Sequence, residues 1–279
     1  MNGSPQMNPK TQDKLQNLTG LIQSMGRVLV AFSGGVDSSF LAVACLKAAG
    51  RQRMLAVTGT SESLAQEELQ GAVALARDWE MPHRLIRTEE LSKQAYVENS
   101  PDRCYHCKTE LFEKLTALAR EEEFAWVLDG TQAEDAKDFR PGRRAAAEQK
   151  VRSPLMEVGL TKEEIREASR MWGLSTAEKP SSPCLSSRIA YFEKVTPKKL
   201  STIESAEAFL KQRGFLEVRV RWHDGIARIE VPKADLARLI DEPISDEISE
   251  YFKSLGFLYV TIDMEGLRSG SMRIPLSPA

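Results

Sequence analysis

The chain has 279 residues, of which 42% are hydrophobic and 28% charged, so it can bury one large core together with a smaller satellite domain. Its 38 Lys and Arg residues against 40 Asp and Glu residues give a net charge of −2, without the positive excess that is typical of nucleic-acid-binding proteins. No apolar run approaches the ~20 residues of a membrane helix, the polar start lacks the apolar region of a secretory signal, and four cysteines are too few for a disulfide scaffold. We therefore expect a cytoplasmic protein without membrane segments.

Strand and helix patterns alternate through the first two thirds of the chain, after a start (residues 1–12) that we expect to be a disordered tail. Short apolar runs predict buried strands at 27–32, 54–58, 83–86 and 125–128. Amphipathic or capped stretches predict helices at 38–49, 63–79, 108–122 and 162–172. This alternation indicates an α/β domain, residues 13–190, whose doubly wound parallel sheet carries helices on both faces.

The pattern changes after about residue 190. Thr196 and Pro197 have the chemistry of a helix start, and Gly214 ends that helix. Apolar runs at 215–221 and 226–231, with Asp-Gly between them, predict a hairpin, and two more helices precede a last strand at 257–262. Residues 191–279 are therefore predicted to form a small α+β domain.

The most informative local motif directly follows the first strand and opens the first helix; it reads Ser33-Gly34-Gly35-Val36-Asp37-Ser38-Ser39. Glycines let backbone N–H groups approach a phosphate closely, and a helix N-terminus adds unpaired donors and a favourable dipole. The serines supply hydroxyl donors, and Asp37 is a candidate ligand for Mg²⁺ that accompanies the phosphates. An ordinary glycine turn is the alternative, and the GxxxxGK[ST] pattern of a Walker A loop is absent.

This loop resembles the PP-loop of the N-type ATP pyrophosphatases, a superfamily with an adenine nucleotide alpha hydrolase-like fold. The resemblance implies that ATP is cleaved between its α and β phosphates, that a substrate oxygen receives AMP, and that pyrophosphate stays in the loop. The triplet Asp129-Gly130-Thr131, with Asp135 four residues after Thr131, resembles the second conserved element of the superfamily. Its place after a strand fits, because ligands of open α/β sheets bind outside the carboxyl ends of the strands.

Cys104 and Cys107 form a CxxC motif just before a predicted helix, and Cys184 stands far along the chain. A helix that follows a CxxC motif favours reactive thiolates. The residues leave four interpretations open: a thioredoxin-like dithiol, a zinc site completed by His106 or a distant group, an iron–sulfur cluster held by three cysteines with one open iron, and plain unpaired thiols.

Four segments resemble the LarE family of sulfur transferases: PDRCYHCK, LDGTQAEDAKDFRPG, VRSPLMEVGLTKEEIR and KPSSPCLSSRI. Together with the loop they extend over most of residues 27–190. The resemblance implies a role in making the nickel-pincer cofactor of lactate racemase. In that role ATP activates a carboxylate of a pyridinium biscarboxylic acid mononucleotide, which becomes a thiocarboxylate. The resemblance also implies a homohexamer, and the sulfur donor remains unknown.

Cys184 matches the sulfur-bearing cysteine of this family. Members that carry only this cysteine give up its sulfur and keep dehydroalanine, whereas members with an additional CxxC are thought to hold a 4Fe-4S cluster on three cysteines. Since this chain has Cys104, Cys107 and Cys184, the resemblance favours relay of a cluster-bound sulfide over single-turnover loss of the cysteine sulfur.

Arg219 and Arg221 stand two residues apart on a predicted strand and therefore share one face. Their setting resembles the family's hairpin, where such arginines bind the substrate phosphate, and a solvated edge is the alternative. The same role is open to Arg188, Ser187 and Glu207, so the resemblance gives the C-terminal domain functions in phosphate binding and oligomerisation. A further basic cluster either closes over nucleotide phosphates or lies in solvent: Arg140, Arg143 and Arg144.

Three other functions compete with the sulfur transferase. An amide-forming synthetase of the NAD or GMP synthetase type shares the loop but needs no cysteines. A tRNA thiolase uses a loop and cysteines but needs a basic surface or an RNA-binding domain, which the net charge disfavours. A non-enzymatic nucleotide-binding module would not release AMP from ATP.

Overall fold

The computed structural model describes residues 8–137, 141–268 and 270–272. Within these ranges the strands are β1 (Val28–Ala31), β2 (Met54–Thr60), β3 (His83–Arg87), β4 (Trp126–Leu128), β5 (Arg219–His223), β6 (Ile226–Glu230) and β7 (Tyr259–Ile262). The helices are α1 (Pro9–Ser24), α2 (Val36–Ala49), α3 (Gln66–Asp78), α4 (Gln94–Val97), α5 (Arg103–Glu121), α6 (Pro141–Glu148), α7 (Pro154–Glu157), α8 (Lys162–Met171), α9 (Pro197–Gln212), α10 (Leu236–Ile240) and α11 (Ile244–Ser254). None of the described helices combines the length and the apolar character that a membrane crossing requires.

The chain forms two compact units. The first comprises the residues up to Ser61, Gln66–Glu90 and Cys104–Ser182. The second comprises Glu62–Ala65, Leu91–Arg103 and the residues from Pro183 onward. The sequence boundary near residue 190 therefore differs from the structural division, in which Cys184 and Arg188 belong to the second unit. Two short segments of that unit come from the first half of the chain.

A four-stranded parallel sheet with the order β3-β2-β1-β4 forms the centre of the first unit. Val30 of β1 pairs with Ala56 of β2 on one side and with Leu128 of β4 on the other. The chain runs outward from β1 to β3 and then returns to place β4 on the opposite side of β1. The strand order therefore reverses between β1 and β4, which is where open α/β sheets bind their ligands.

Successive residues of β1 point to two different cores, because side chains alternate across a strand. Val28 and Val30 pack into a core with buried residues of α1, α2, α3 and α8. Leu29 and Ala31 pack into a second core with α5 and α6. Both faces of the sheet are thus covered by helices, as parallel sheets require, and the predicted doubly wound α/β fold is confirmed.

The second unit contains a three-stranded sheet with the order β5-β6-β7. β5 and β6 pair antiparallel, and β6 and β7 pair parallel. Asp224 and Gly225 join β5 to β6 with φ angles of 45° and 82°, the two left-handed conformations that a tight hairpin turn of this twist needs. The buried side of the sheet packs against α9 and α11, so the small α+β domain is present as predicted.

Several helices differ from the sequence prediction. Residues 9–12, which we expected in the tail, belong to α1, whose Leu18 and Ile22 anchor it in the core; residues 1–7 lie outside the described part of the chain. α5 begins at Arg103 and not at Lys108, because the CxxC segment has no apolar periodicity to mark it as helical. The short helices α4, α6 and α7 were not predicted at all.

Candidate active site

The loop after β1 turns through Gly34, where φ is 71°, a left-handed conformation that favours glycine. A Cβ atom on Gly34 would lie 2.9 Å from the Cβ of Ala72 in α3, so the position has no room for a side chain. α2 then begins at Val36, whose side chain is buried in the core and fixes the start of the helix. The predicted loop therefore presents the backbone N–H groups of a helix N-terminus, as an anion site requires.

The hydroxyl groups of Ser33 and Ser38 form hydrogen bonds within the loop. The Ser33 Oγ lies 2.9 Å from the Ser38 Oγ, and the Ser38 hydroxyl donates to the carbonyl of Gly35 at 3.2 Å. The Ser39 hydroxyl is completely buried and has no hydrogen-bond partner within the described residues. A buried hydroxyl without a partner is costly, so Ser39 has bonding capacity left for a ligand at the loop.

Only one of the two Asp37 carboxylate oxygens has a hydrogen-bond partner among the described residues. Its Oδ2 accepts a hydrogen bond from the Lys162 ammonium at 2.7 Å, while its buried Oδ1 has no partner in the described part of the chain. Mg²⁺ prefers carboxylate oxygens and usually completes its shell with phosphate and water. The vacant oxygen at a phosphate-type loop therefore fits the predicted Mg²⁺ site.

Two lysines approach the loop that the sequence analysis did not single out. Besides Lys162 at Asp37, the Lys179 ammonium donates to the Gly34 carbonyl at 3.1 Å and pairs with Glu68 at 2.7 Å. The position of Lys162 could have indicated its role, because a cation at the first position of a helix is unfavourable with respect to the helix dipole unless an acidic group pairs with it. Lys179 lies within the quoted segment KPSSPC, but no spacing rule connected it with the loop.

The second predicted element, Asp129-Gly130-Thr131, follows β4 directly. The Asp129 carboxylate accepts hydrogen bonds from Ser153 at 2.6 Å and from the Thr131 hydroxyl at 2.8 Å, which fixes the loop. A Cβ atom on Gly130 would lie 2.8 Å from the backbone nitrogen of Ser38, so this loop contacts the first turn of α2. The structure thus brings the two predicted nucleotide-binding elements together at the reversal of strand order.

Asp135 and the nearby basic residues occupy the segment that follows. The Asp135 carboxylate is buried and accepts a hydrogen bond from the Gln132 backbone at 3.2 Å. Arg143 donates to the Asp135 carbonyl at 3.3 Å, and the Arg144 guanidinium stacks 3.8 Å from the Tyr105 ring centre. Arg140 lies outside the described residues, so the structure leaves the predicted basic cluster incomplete.

Cys104 and Cys107 lie in the first turn of α5, Cys104 exposed and Cys107 partly buried. The unpaired N–H groups of a first helical turn favour thiolates. Cys45 differs, because burial in the core raises the pKa of its thiol, which agrees with a purely structural cysteine. Within the described ranges no three His, Cys, Asp or Glu side chains form a group that could hold a metal ion. Cys104 and Cys107 belong to the first unit, whereas Cys184 belongs to the second.

In the second unit, partly buried Cys184 directly precedes a short 3₁₀ turn, Leu185–Arg188. The Arg188 guanidinium is buried and folds back over this turn, donating to the carbonyls of Pro183 and Cys184 and to the Ser187 hydroxyl. Its other edge makes a bidentate ion pair with Glu207 at 2.9 and 3.2 Å. Arg188 and Glu207 thus hold the cysteine-bearing turn in place.

Arg219 and Arg221 lie on β5, and Val220 between them packs into the core on the other side of the sheet, as predicted. Arg221 is buried and pairs with completely buried Glu230 at 2.8 Å; it also donates to the Ser187 carbonyl at 3.0 Å. Burial lowers the pKa of the half-buried Arg219, and the neighbouring charges of Arg221 and Arg188 lower it further. The charges of Arg188, Arg219 and Arg221 therefore interact with one another, and Glu230 and Glu207 partly offset them.

Comparisons with known proteins identify relatives of this chain. Residues 11–119 match the family model for NAD synthase. The whole chain is similar to a pyridinium-3,5-bisthiocarboxylic acid mononucleotide synthase of Lactiplantibacillus plantarum, with 35% identity over 266 residues, 95% of this chain and 96% of the relative. It is 40% identical to an uncharacterized protein of Synechocystis over 261 residues (94% and 97%), and 29% identical to one of Methanocaldococcus jannaschii over 243 residues (87% and 91%).

Proposed function

Because this chain belongs to the LarE family of ATP-dependent sulfur transferases, we propose that it makes a thiocarboxylate from a carboxylate of pyridinium-3,5-biscarboxylic acid mononucleotide. It is an ATP-dependent enzyme that acts on a carboxylate. The observation that carries the proposal is the match to the Lactiplantibacillus synthase over 95% of the chain, since it includes both the nucleotide loop and the Cys184 turn.

In the first step a carboxylate oxygen of the substrate attacks the α-phosphorus of ATP, and pyrophosphate leaves. The substrate then carries an acyl adenylate, because a carboxylate becomes reactive only when its oxygen has a good leaving group. We assign the departing phosphates to the N–H groups at the start of α2 and to the hydroxyls of Ser33, Ser38 and Ser39. Gly130, Thr131 and Asp135 would border the same nucleotide.

Asp37 is the residue that would hold Mg²⁺, which supplies positive charge to the phosphates when it is bound. Lys162 and Lys179 lie at the same loop and add fixed positive charge as pyrophosphate separates. Because the Asp37 Oδ1 has no partner within the described residues, this oxygen can bind a metal ion while Oδ2 keeps its bond to Lys162.

In the second step the Cys184 sulfur attacks the acyl carbon, and AMP leaves. The partial exposure of Cys184 gives a substrate access to the sulfur. If the cysteine supplies its own sulfur, the Cβ–S bond then breaks with loss of the Cα proton, which leaves a thiocarboxylate and a dehydroalanine. This sequence of bond changes needs no oxidant or reductant.

A 4Fe-4S cluster on Cys104, Cys107 and Cys184 stays a prediction from the family resemblance. The number and pattern of the cysteines support it, but the described residues contain no preformed group of three ligands. Iron analysis decides whether the cluster exists.

The substrate phosphate is assigned to the arginines of the second unit. Arg219 has the favourable position, because it is half-buried beside two other guanidiniums. Arg221 and Arg188 already have ion pairs with Glu230 and Glu207, so their charges are partly neutralised. Ser187 contacts both of these arginines: its carbonyl accepts a hydrogen bond from Arg221, and its hydroxyl accepts one from Arg188.

Two variants separate the two steps. Asp37→Ala should abolish the substrate-dependent release of AMP and pyrophosphate, because it removes the metal ligand at the loop. Cys184→Ala should still form the acyl adenylate but give no thiocarboxylate, because only the sulfur is removed. Both products can be measured by chromatography and mass spectrometry with the biscarboxylic acid mononucleotide and ATP.

Cys45→Ala is the matched control for Cys184→Ala, since Cys45 is a buried core residue and should not affect sulfur transfer. Thiocarboxylate formation by the Cys184 variant would contradict the assigned role of this cysteine. Undiminished release of AMP by the Asp37 variant would contradict the assignment of the loop.

A further inference from the structure

Three polar side chains are buried in the segment Leu91–Arg103, which belongs to the second unit although most of that unit begins only at Pro183. Tyr96 is 1% exposed, Asn99 0% and Arg103 5%. Polar groups at such depth cost free energy unless their hydrogen bonds are satisfied. The hydrogen-bond partners of these three side chains therefore indicate their role.

The partners lie in and just after the turn that follows Cys184. The Tyr96 hydroxyl is 2.5 Å from the hydroxyl of completely buried Ser186. The Arg103 guanidinium donates to the Ser186 carbonyl at 2.8 Å and also to the Asn99 side-chain oxygen. The Asn99 amide donates to the carbonyl of Ala190 at 2.7 Å.

The turn is a single short 3₁₀ segment, Leu185–Arg188. The Ser187 N–H donates to the Cys184 carbonyl at 2.9 Å, and the Ile189 N–H donates to the Ser186 carbonyl at 3.2 Å. A segment of only four residues takes its orientation from its surroundings. Directed hydrogen bonds fix an orientation more narrowly than apolar packing does, and functional groups need such support to stay in a productive geometry.

We propose that Tyr96, Asn99 and Arg103 are positioning residues that hold the Cys184 turn in the orientation required for sulfur transfer. In these three residues, called the polar clamp below, Tyr96 and Arg103 act through Ser186, and Asn99 acts through Arg103 and the Ala190 carbonyl. The inference rests on the proposed function, because it assigns the sulfur step to Cys184. Arg188 grips the same turn through the carbonyls of Pro183 and Cys184, so the turn is fixed by two separate sets of contacts.

The test compares Tyr96→Phe, which removes one hydroxyl, and Arg103→Lys, which keeps the charge but loses the planar fork. Both variants should release AMP and pyrophosphate within about twofold of the wild type. The single-turnover rate constant of thiocarboxylate formation at saturating substrate should fall by about tenfold to a hundredfold, with little change in the half-saturating substrate concentration, since a small misplacement of a reacting group has effects of this size. The alkylation rate of Cys184 by iodoacetamide, followed by mass spectrometry of its peptide, should change as well.

Tyr251→Phe is the matched control, because it makes the same chemical change in the same unit but on a ring that stacks on Phe209 away from the polar clamp. The inference is overturned if both clamp variants keep wild-type thiocarboxylate formation and Cys184 alkylation. It is also overturned if both half-reactions fall in parallel with the thermal unfolding temperature, since that result indicates a structural role alone. If the wild type itself makes no thiocarboxylate, the proposed function fails, while the alkylation rates still decide the clamp.

Discussion

At Gly130 the two predicted nucleotide-binding loops lie close together. A Cβ atom there would lie 2.8 Å from the Ser38 nitrogen and 3.0 Å from the Asp37 carbonyl carbon, closer than real side chains approach backbone. The obstacle is the backbone of α2 and not the end of a flexible side chain, so the loops would have to separate.

We expect Gly130→Ala to weaken ATP binding by about tenfold or more, because a shift of the first turn of α2 misplaces the phosphate-binding N–H groups. Isothermal titration with a non-hydrolysable ATP analogue measures the change. Gly20→Ala is the control: Gly20 is exposed in α1 with no atom within 4 Å of the added carbon, and this change should stabilise the helix by about 0.5–1 kcal/mol. Unchanged nucleotide affinity of Gly130→Ala would show that the second loop does not border the nucleotide.

Local chemistry explains which site residues could be predicted at this scale. The loop at Ser33–Ser39 is readable because its glycines, serines and aspartate are contiguous and follow a strand. Lys162 and Lys179 were missed because each reaches the loop from a position more than a hundred residues away in the chain. The ion pair of Arg221 with Glu230 was missed for a related reason, since a hairpin register decides which side chains meet.

Among the helices, α8 was the best predicted, because its capping residues are local. Thr161 accepts a hydrogen bond from the Glu164 backbone, and the Glu164 side chain accepts one from the Thr161 backbone, which confirms the capping box. The structure adds a partner from α1 that local sequence could not indicate: the Lys14 ammonium lies 2.8 Å from Glu164 and 2.7 Å from the Gly159 carbonyl. One carboxylate thus caps α8 and joins it to α1.

The Lys14–Glu164 ion pair predicts that the free energy of unfolding depends on pH. Burial alone would raise the pKa of Glu164, but hydrogen bonds from Lys14 and the Thr161 backbone outweigh it and hold the pKa below 4.5. A carboxylate with a depressed folded-state pKa stabilises the protein fully above its unfolded value and loses that contribution as the pH falls through the folded value. Lys14→Met should therefore lower the free energy of unfolding by about 1 kcal/mol near neutral pH and by progressively less below 4.5.

Urea unfolding at several pH values measures this difference. Lys10→Met on the same helix is the control, because Lys10 is exposed and has no ion pair among the described residues. A difference between Lys14→Met and the wild type that stays constant down to acid pH would contradict the assigned role of Glu164.

At the scale of the whole molecule, the three candidate sulfur-handling cysteines belong to different units. Cys104 and Cys107 lie in the first, and Cys184 lies in the second. Sequence spacing alone could suggest a shared cluster but could not establish one, because the position of distant segments depends on the complete fold. This part of the site was therefore the least accessible to sequence reasoning.

Iron and acid-labile sulfide measured after anaerobic purification and reconstitution test the cluster. If the family resemblance holds to this depth, the wild type binds about four irons per chain and Cys104→Ala/Cys107→Ala loses them. Absence of iron from both proteins contradicts the cluster. In that case the intact mass of the wild type should fall by one H₂S after a single turnover, as Cys184 becomes dehydroalanine.

The division of the chain into two units has a consequence for biosynthesis. The second unit takes Glu62–Ala65 and Leu91–Arg103 from the early part of the chain and the remainder from Pro183 onward. Domains generally fold as units while the chain leaves the ribosome. Here the early segments must wait until the last third of the polypeptide has been synthesised, and the clamp on the Cys184 turn can form only then. A chain truncated before Pro183 would therefore contain the loop after β1 but not the cysteine-bearing turn of the second unit.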